Sequence, residues 1–162
     1  MEIAGFIAFG GWLLALVQFI LTHIEGKRKN DEVLLEKTLG YFARGTQARS
    51  IGIGLVAAVW LKNKKYLDVI VPVLVSQLIF LLTDAEDYEQ ERRNLIRLLF
   101  LIEKCLPYAS DPVNERIETS EALLSAGMSP GKIKISKPTL RLWYGKFSNG
   151  DTELFDVETE GS

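Results

Sequence analysis

Two side-chain types that build catalytic and metal sites occur once each: Cys105 is the sole cysteine and His23 the sole histidine. One cysteine excludes an internal disulfide and a cysteine-based zinc site, and one histidine excludes a two-histidine metal site. Cys105 falls in an apolar helical pattern, which predicts a buried thiol, far from His23 at the end of the N-terminal apolar stretch. That separation excludes a Cys–His nucleophile. There is no excess of basic charge either, with 19 Lys and Arg against 21 Asp and Glu and a net charge of −2, so nucleic acid is not the expected partner. The stretch Gly127 to Lys132 lacks the spacing of a phosphate-binding loop and the hydroxyl residue after its lysine, and no G-x-S-x-G turn occurs. The acids Asp84, Glu86, Asp87 and Glu89 cluster where a helix begins, which the helix dipole favours without any catalytic role. These absences predict no catalytic residue, no cofactor and no metal: a non-enzymatic protein.

Charge is missing altogether from one stretch. Ile3 to Ile24 holds no Asp, Glu, Lys or Arg over 22 residues, and Lys27, Arg28 and Lys29 lie just beyond it. At the helical rise this is about 33 Å, enough to cross a hydrocarbon core of about 30 Å. The expectation is a transmembrane anchor at 1–24, with the N-terminus outside and the basic flank in the cytoplasm. A cleaved signal peptide fits less well, because Glu2 is acidic and Thr22-His23-Ile24-Glu25-Gly26 is a poor cleavage site. A buried helix of a soluble fold is the other alternative, given Gln18, Thr22 and His23. Ala4, Ala8, Gly11 and Ala15 fall on one face of this stretch, a candidate self-association seam. Lys27, Arg28 and Lys29 serve topology or contact lipid headgroups, and residues 25–30 read as a juxtamembrane linker.

From residue 31 the chain reads as helix. Asp31 is placed to cap a helix running to about Arg44, with Leu35, Leu39 and Phe42 on one face; Gly45 ends it and Thr46 offers the next cap. A second helix, Gln47 to Leu61, is small along much of its surface at Gly52, Gly54, Ala57 and Ala58. Lys62 to Lys65 is a solvated turn. Tyr66 to Leu82 is apolar but carries Asp68, Pro72, Ser76 and Gln77. It reads as a buried helix starting near Val69 or later, so that Pro72 lies in its first turn, or alternatively as a second span at 66–82. From about Ala85 to Leu106 an amphipathic pattern sets Tyr88, Leu95, Leu98, Leu99, Ile102 and Leu106 inward and Glu89, Glu91, Arg92, Arg93, Arg97, Glu103 and Lys104 outward. Asp111-Pro112 opens a further helix to Ala126, with Val113, Ile117 and Leu124 expected inward and Gly127 as its terminating glycine.

Period two then replaces the helical period. Lys132-Ile133-Lys134-Ile135 alternates, Thr139 to Tyr144 begins to alternate again, and Ser148-Asn149-Gly150-Asp151 is a hairpin signal. Centring a two-residue turn on Asn149-Gly150 pairs Tyr144 with Phe155, Leu142 with Val157 and Lys146 with Glu153. The expectation is a C-terminal β-hairpin within 128–162, ending in an acidic tail. Trp143, Tyr144, Phe147 and Phe155 exceed what a lone hairpin buries, and are the candidate partner contact.

Residues 31–106 carry LLEKTLGYFARGTQARSIGIGLVAAVWLKNKKYLDVIVPVLVSQLIFLL, with Arg49 ahead of Ile51-Gly52-Ile53-Gly54-Leu55, a polar turn and another apolar helix. This stretch resembles the short antiparallel helix stacks of HEAT or armadillo-like repeats, as found in some bacterial proteins behind a transmembrane anchor. The resemblance implies a scaffold that presents surfaces. The expected fold is therefore mainly α: an N-terminal transmembrane helix, an antiparallel HEAT-like helical domain at 31–127 and a C-terminal β-hairpin. The expected role is a bacterial inner-membrane protein whose cytoplasmic scaffold recruits or senses a protein partner and self-associates. The alternative is a membrane-perturbing effector or transporter accessory.

Overall fold

A computed structural model describes residues 25–160 of the chain. The chain divides into two units, 1–37 and 38–162. The anchor expected at 3–24, its small-residue seam at Ala4, Ala8, Gly11 and Ala15, and His23 lie outside the described residues.

In the first unit, residues 25–37 are helical, including the expected linker 25–30 and Asp31, so Asp31 does not begin a helix. Lys27, Arg28 and Lys29 are exposed there, and Arg28 Nε donates to Glu32 one turn on at 3.0 Å.

The second unit is built of helices, with no strand among the described residues. Residues 38–42 are helical, and a turn at Gly45, φ 95°, leads into α1 (Thr46–Leu55). This helix runs on through a π-helical turn, Val56–Trp60, and a last turn, Leu61–Asn63. Then come α2 (Leu67–Thr83), α3 (Glu89–Cys105), a single 3-10 turn at Leu106–Tyr108, α4 (Pro112–Met128), α5 (Lys137–Phe147) and α6 (Glu153–Glu160). Helix α3 packs against α1 and α2, α2 also packs against α4, and α4 carries α5 and α6.

Helix α2 lies at the middle of the core. Ile70, Val71, Leu74, Leu78 and Leu81 are fully buried, each contributing about 1.5–3 kcal/mol over exposure. Its opposite face, with Asp68, Pro72 and Ser76, is exposed. Pro72 lies in the helix interior, beyond the first turn where it was expected. The Asp68 carbonyl that a proline cannot bond is on the side open to water, which removes most of the cost. No described helix, α2 included, is long and apolar enough to cross a membrane, so a second span at 66–82 is not supported.

The C-terminal β-hairpin is overturned: residues 137–147 and 153–160 are helices. Two physical reasons account for it. Leu140, Trp143, Tyr144 and Phe147 recur at i, i+3, i+4 and i+7, and this helical stripe is what is buried, whereas Leu142 of the alternating set is 64% exposed. Ser136 caps the helix through Thr139 N, and Pro138 sits in the first turn, where its missing N–H costs nothing. Asn149 and Gly150 do have the positive φ foreseen, 59° and 90°, but they end a helix. Gly150 N donates to Gly145 O at 2.8 Å and Ser148 N to Tyr144 O at 2.8 Å, closing off α5. Tyr144 and Phe155 still meet, 5.4 Å between ring centres, across two helices. Lys132 to Ile135 is irregular chain with Ile133 buried.

Candidate interaction groove

Helix α4 presents its sides in an unexpected way. Val113 and Ile117, expected in the core, are 68% and 48% exposed, while Glu115 and Thr119 are buried. Thr119 answers its burial by donating to Glu115 O at 2.7 Å. Glu115 does not: its Oε2 is buried with no hydrogen-bond partner. Burial, with the neighbouring charges of Glu118 and Asp111, raises its carboxyl above the ordinary value. The N-terminal half of this helix thus turns a polar side inward and an apolar side outward, against the usual preference.

The outward stripe forms one wall of a groove of about 460 Å³. Val113, Ile117 and Leu124 of α4 face Tyr144 and Phe147 of α5 and Leu154 of α6 across it. Arg116 lies at its margin and donates to Asn149 Oδ1 at 3.3 Å and to Lys146 O at 3.4 Å, both neutral acceptors. Gly127, expected to terminate α4, is buried inside it. A methyl group there would lie 2.8–2.9 Å from Thr159 and Phe155, so the glycine lets α6 seat against α4 and close the groove. The groove offers apolar area with a polar edge in which Arg116 and Glu121 carry opposite charges and Ser120 and Ser148 supply hydroxyls.

The four aromatics expected at a partner contact take another role. Trp143, Tyr144, Phe147 and Phe155 are 6%, 6%, 2% and 2% exposed, so they hold α5 and α6 onto the domain. Trp143 stands edge-on to Phe100 at 4.9 Å, and Lys146 Nζ lies 4.6 Å above its ring. Tyr144 and Phe147 also line the groove, with little of either exposed.

A second cluster, between α1, α2 and α3, is polar and closed. Arg49 and Glu91 form an ion pair whose side chains are each 5% exposed. Arg49 Nε also donates to Gln77 Oε1 at 2.8 Å, and its guanidinium lies 4.9 Å from the Phe80 ring centre. Glu91 accepts from Thr46 Oγ1 at 2.8 Å and from Asn94 Nδ2 at 3.0 Å. Burial alone would raise the Glu91 carboxyl; hydrogen bonds from Asn94, Arg49 and Thr46, with the Arg49 charge, outweigh it and hold it below its ordinary value. Glu91 reads from sequence as part of the exposed charged face, whereas it is buried. The available signal was spacing: Glu91, Asn94, Leu95 and Leu98 share one helical face, at i, i+3, i+4 and i+7.

The other chemistry-bearing residues are accounted for. Cys105 is fully buried and its thiol is pushed up to about 11 by that burial, which makes it a poor nucleophile. Among the clustered acids, Glu86 pairs with Lys132, Asp87 with Arg92 and Glu89 with Arg93, while Asp84 accepts from Thr83 Oγ1 at 2.7 Å. Among the described residues no group of His, Cys, Asp and Glu could hold a metal ion.

No family model, curated protein or solved structure matches this chain.

Proposed function

We propose that this chain is a non-enzymatic helical interaction module, which receives an apolar segment of a protein partner in the groove between α4, α5 and α6. The observation that carries this reading is the outward stripe Val113–Ile117–Leu124, obtained at the cost of burying Glu115 without a partner for its Oε2. A helix selected for stability alone would turn Ile117 in and Glu115 out, and departures of this kind mark functional surfaces. The charge-free stretch 3–24, followed by its basic flank, supports attachment at the cytoplasmic face of a bacterial inner membrane.

The test is Ile117→Asp in the full chain. Partner capture through a photocrosslinker placed at Val113 should be lost, while the thermal melt stays within about 0.5 kcal/mol of the parent, as for a surface change. A cooperative loss of fold would show that Ile117 is core and would defeat the reading. A reporter fused after Ser162 tests attachment separately: activity on the cytoplasmic side, with retention in the membrane fraction, is expected.

A further inference from the structure

The domain carries a second concavity, lined by none of the residues of that groove, where α1 and its π-helical turn run beside α3. It has about 340 Å³, with Ala57 and Leu61 on one wall and Phe100 and Leu101 on the other. Phe100 is 47% exposed, with Trp143 against its ring at 4.9 Å and Lys146 Nζ 5.4 Å from its centre. Two cations, Arg97 and Lys104, also line it, and no carboxylate does. They stand seven residues apart on α3, about 10.5 Å along its axis. Arg97 donates to the Ser50 hydroxyl at 2.8 Å, which leans it across α1 over Gly54. Neither cation pairs with a carboxylate among the described residues, because Glu103, the acid next to Lys104, is held by Lys146 at 3.1 Å.

An apolar floor between two unneutralised cations two turns apart is complementary to a particular object. We propose that this groove docks an acidic amphipathic helix of a partner protein, its apolar edge on Phe100, Ala57 and Leu61 and two carboxylates about seven residues apart on Arg97 and Lys104. The small side chain of Ala57 lets a helix come close to α1. The fixed spacing of the two cations along one helix decides between the two anionic surfaces that could meet such a patch: a partner helix repeats its carboxylates at that distance, and a fluid bilayer has no set spacing. The groove is separate from the α4–α6 groove, so either can fail without the other.

The probe is a labelled amphipathic peptide of roughly 18 residues, five helical turns, with leucines on one stripe and two glutamates seven residues apart. Its control carries lysines in place of those glutamates. Titrated into the full-length chain and followed by anisotropy, the acidic peptide should bind saturably and about tenfold more tightly than the control. Arg97→Glu/Lys104→Glu should reverse that preference without shifting the thermal melt. If the charge swap melts early, Arg97→Gln/Lys104→Gln should abolish the preference instead. Equal binding of both peptides, no binding of either, or an affinity unchanged by both double variants would overturn the proposal. Retention on phosphatidylglycerol vesicles that the double variant loses, without peptide binding, would overturn it in favour of a bilayer contact.

Discussion

Two buried carboxylates, Glu91 in α3 and Glu115 in α4, are both shut off from water and end in opposite states. Glu91 is 4% exposed and Glu115 7% exposed. Around Glu91 the chain supplies a guanidinium, an amide and a hydroxyl, and the carboxyl falls below its ordinary value. Around Glu115 it supplies other acids, Glu118 and Asp111, and the carboxyl rises. Burial sets the size of the problem; the partners set its sign. The first arrangement fixes how α1, α2 and α3 lock together. The second opposes folding at neutral pH, and it sits under the apolar stripe that forms the α4–α6 groove. Strain of that kind beside a groove is the feature on which the binding role proposed for it rests.

The largest effect comes from breaking the satisfied site. Arg49→Met leaves the Glu91 carboxylate buried without its cation, and should cost about 3–5 kcal/mol in chemical denaturation. Adding Glu91→Leu removes the stranded charge and should recover most of that loss, although the ion pair is still absent. A double variant as unstable as the single one would mean that Arg49 contributes through packing on Phe80 and Gln77, and the contrast with Glu115 would dissolve. The pH dependence stems from the lowered carboxyl. Its stabilisation is complete above the ordinary value of 4.5 and is lost as pH falls through the lower folded value. The acid limb of the unfolding curve should therefore flatten in Glu91→Gln.

The positions of these two sites explain what sequence could and could not disclose. Helix α3 was legible because its stripe of leucines repeats at helical spacing, and Asp111-Pro112 announced α4 through a cap, with Asp111 Oδ1 accepting from Asn114 N at 3.1 Å. The facing of α4 was not legible. Hydrophobic periodicity assumes that the apolar side is the buried one, and at Val113 and Ile117 that assumption fails. Helix α5 reads as a strand because TLRLWY satisfies both periods. Only the fourth member, Phe147, and the proline near its start separate the helix from the strand. Two glycines show a similar limit. Gly127 matters for what packs on it, and a methyl group on Gly131 would lie 2.1 Å from the Leu82 carbonyl oxygen, a long-range contact no local pattern reveals.

Relieving the unsatisfied site should have a smaller effect of opposite sign. Glu115→Gln keeps the shape and removes the charge, so it should stabilise the protein at neutral pH by on the order of 1 kcal/mol, the cost of the buried charge less that of an amide still without a partner. A raised carboxyl costs nothing below the unfolded value of 4.5, where both states are protonated; the penalty grows as pH rises through the folded value. The gain from Glu115→Gln should accordingly be present at pH 7 and vanish below about pH 4. A variant less stable than the parent at pH 7 would mean that the ionised carboxylate is held by something in solution, and the groove would then lack the strain that marks it.

The smallest effect isolates why Glu115 is raised. Burial acts on it first, and Glu118 is the nearer of the two charges in sequence, three positions on and so about one helical turn away. Glu118 is exposed and accepts from Asn114 Nδ2 at 2.9 Å, a bond that the amide oxygen of a glutamine at this position could still accept. Glu118→Gln should thus remove repulsion without removing a contact, bringing the Glu115 titration down toward the ordinary carboxylate range and adding a few tenths of a kcal/mol at neutral pH, the scale of an exposed charge interaction. Carboxyl chemical shifts followed against pH would read the titration directly. In a Glu115→Gln background the same change should do nothing, because the charge it relieves is gone. An equal gain in both backgrounds would show that Glu118 repels something else, leaving burial and Asp111 to raise Glu115. The groove would then owe its strain first to desolvation and only second to the acid that caps α4.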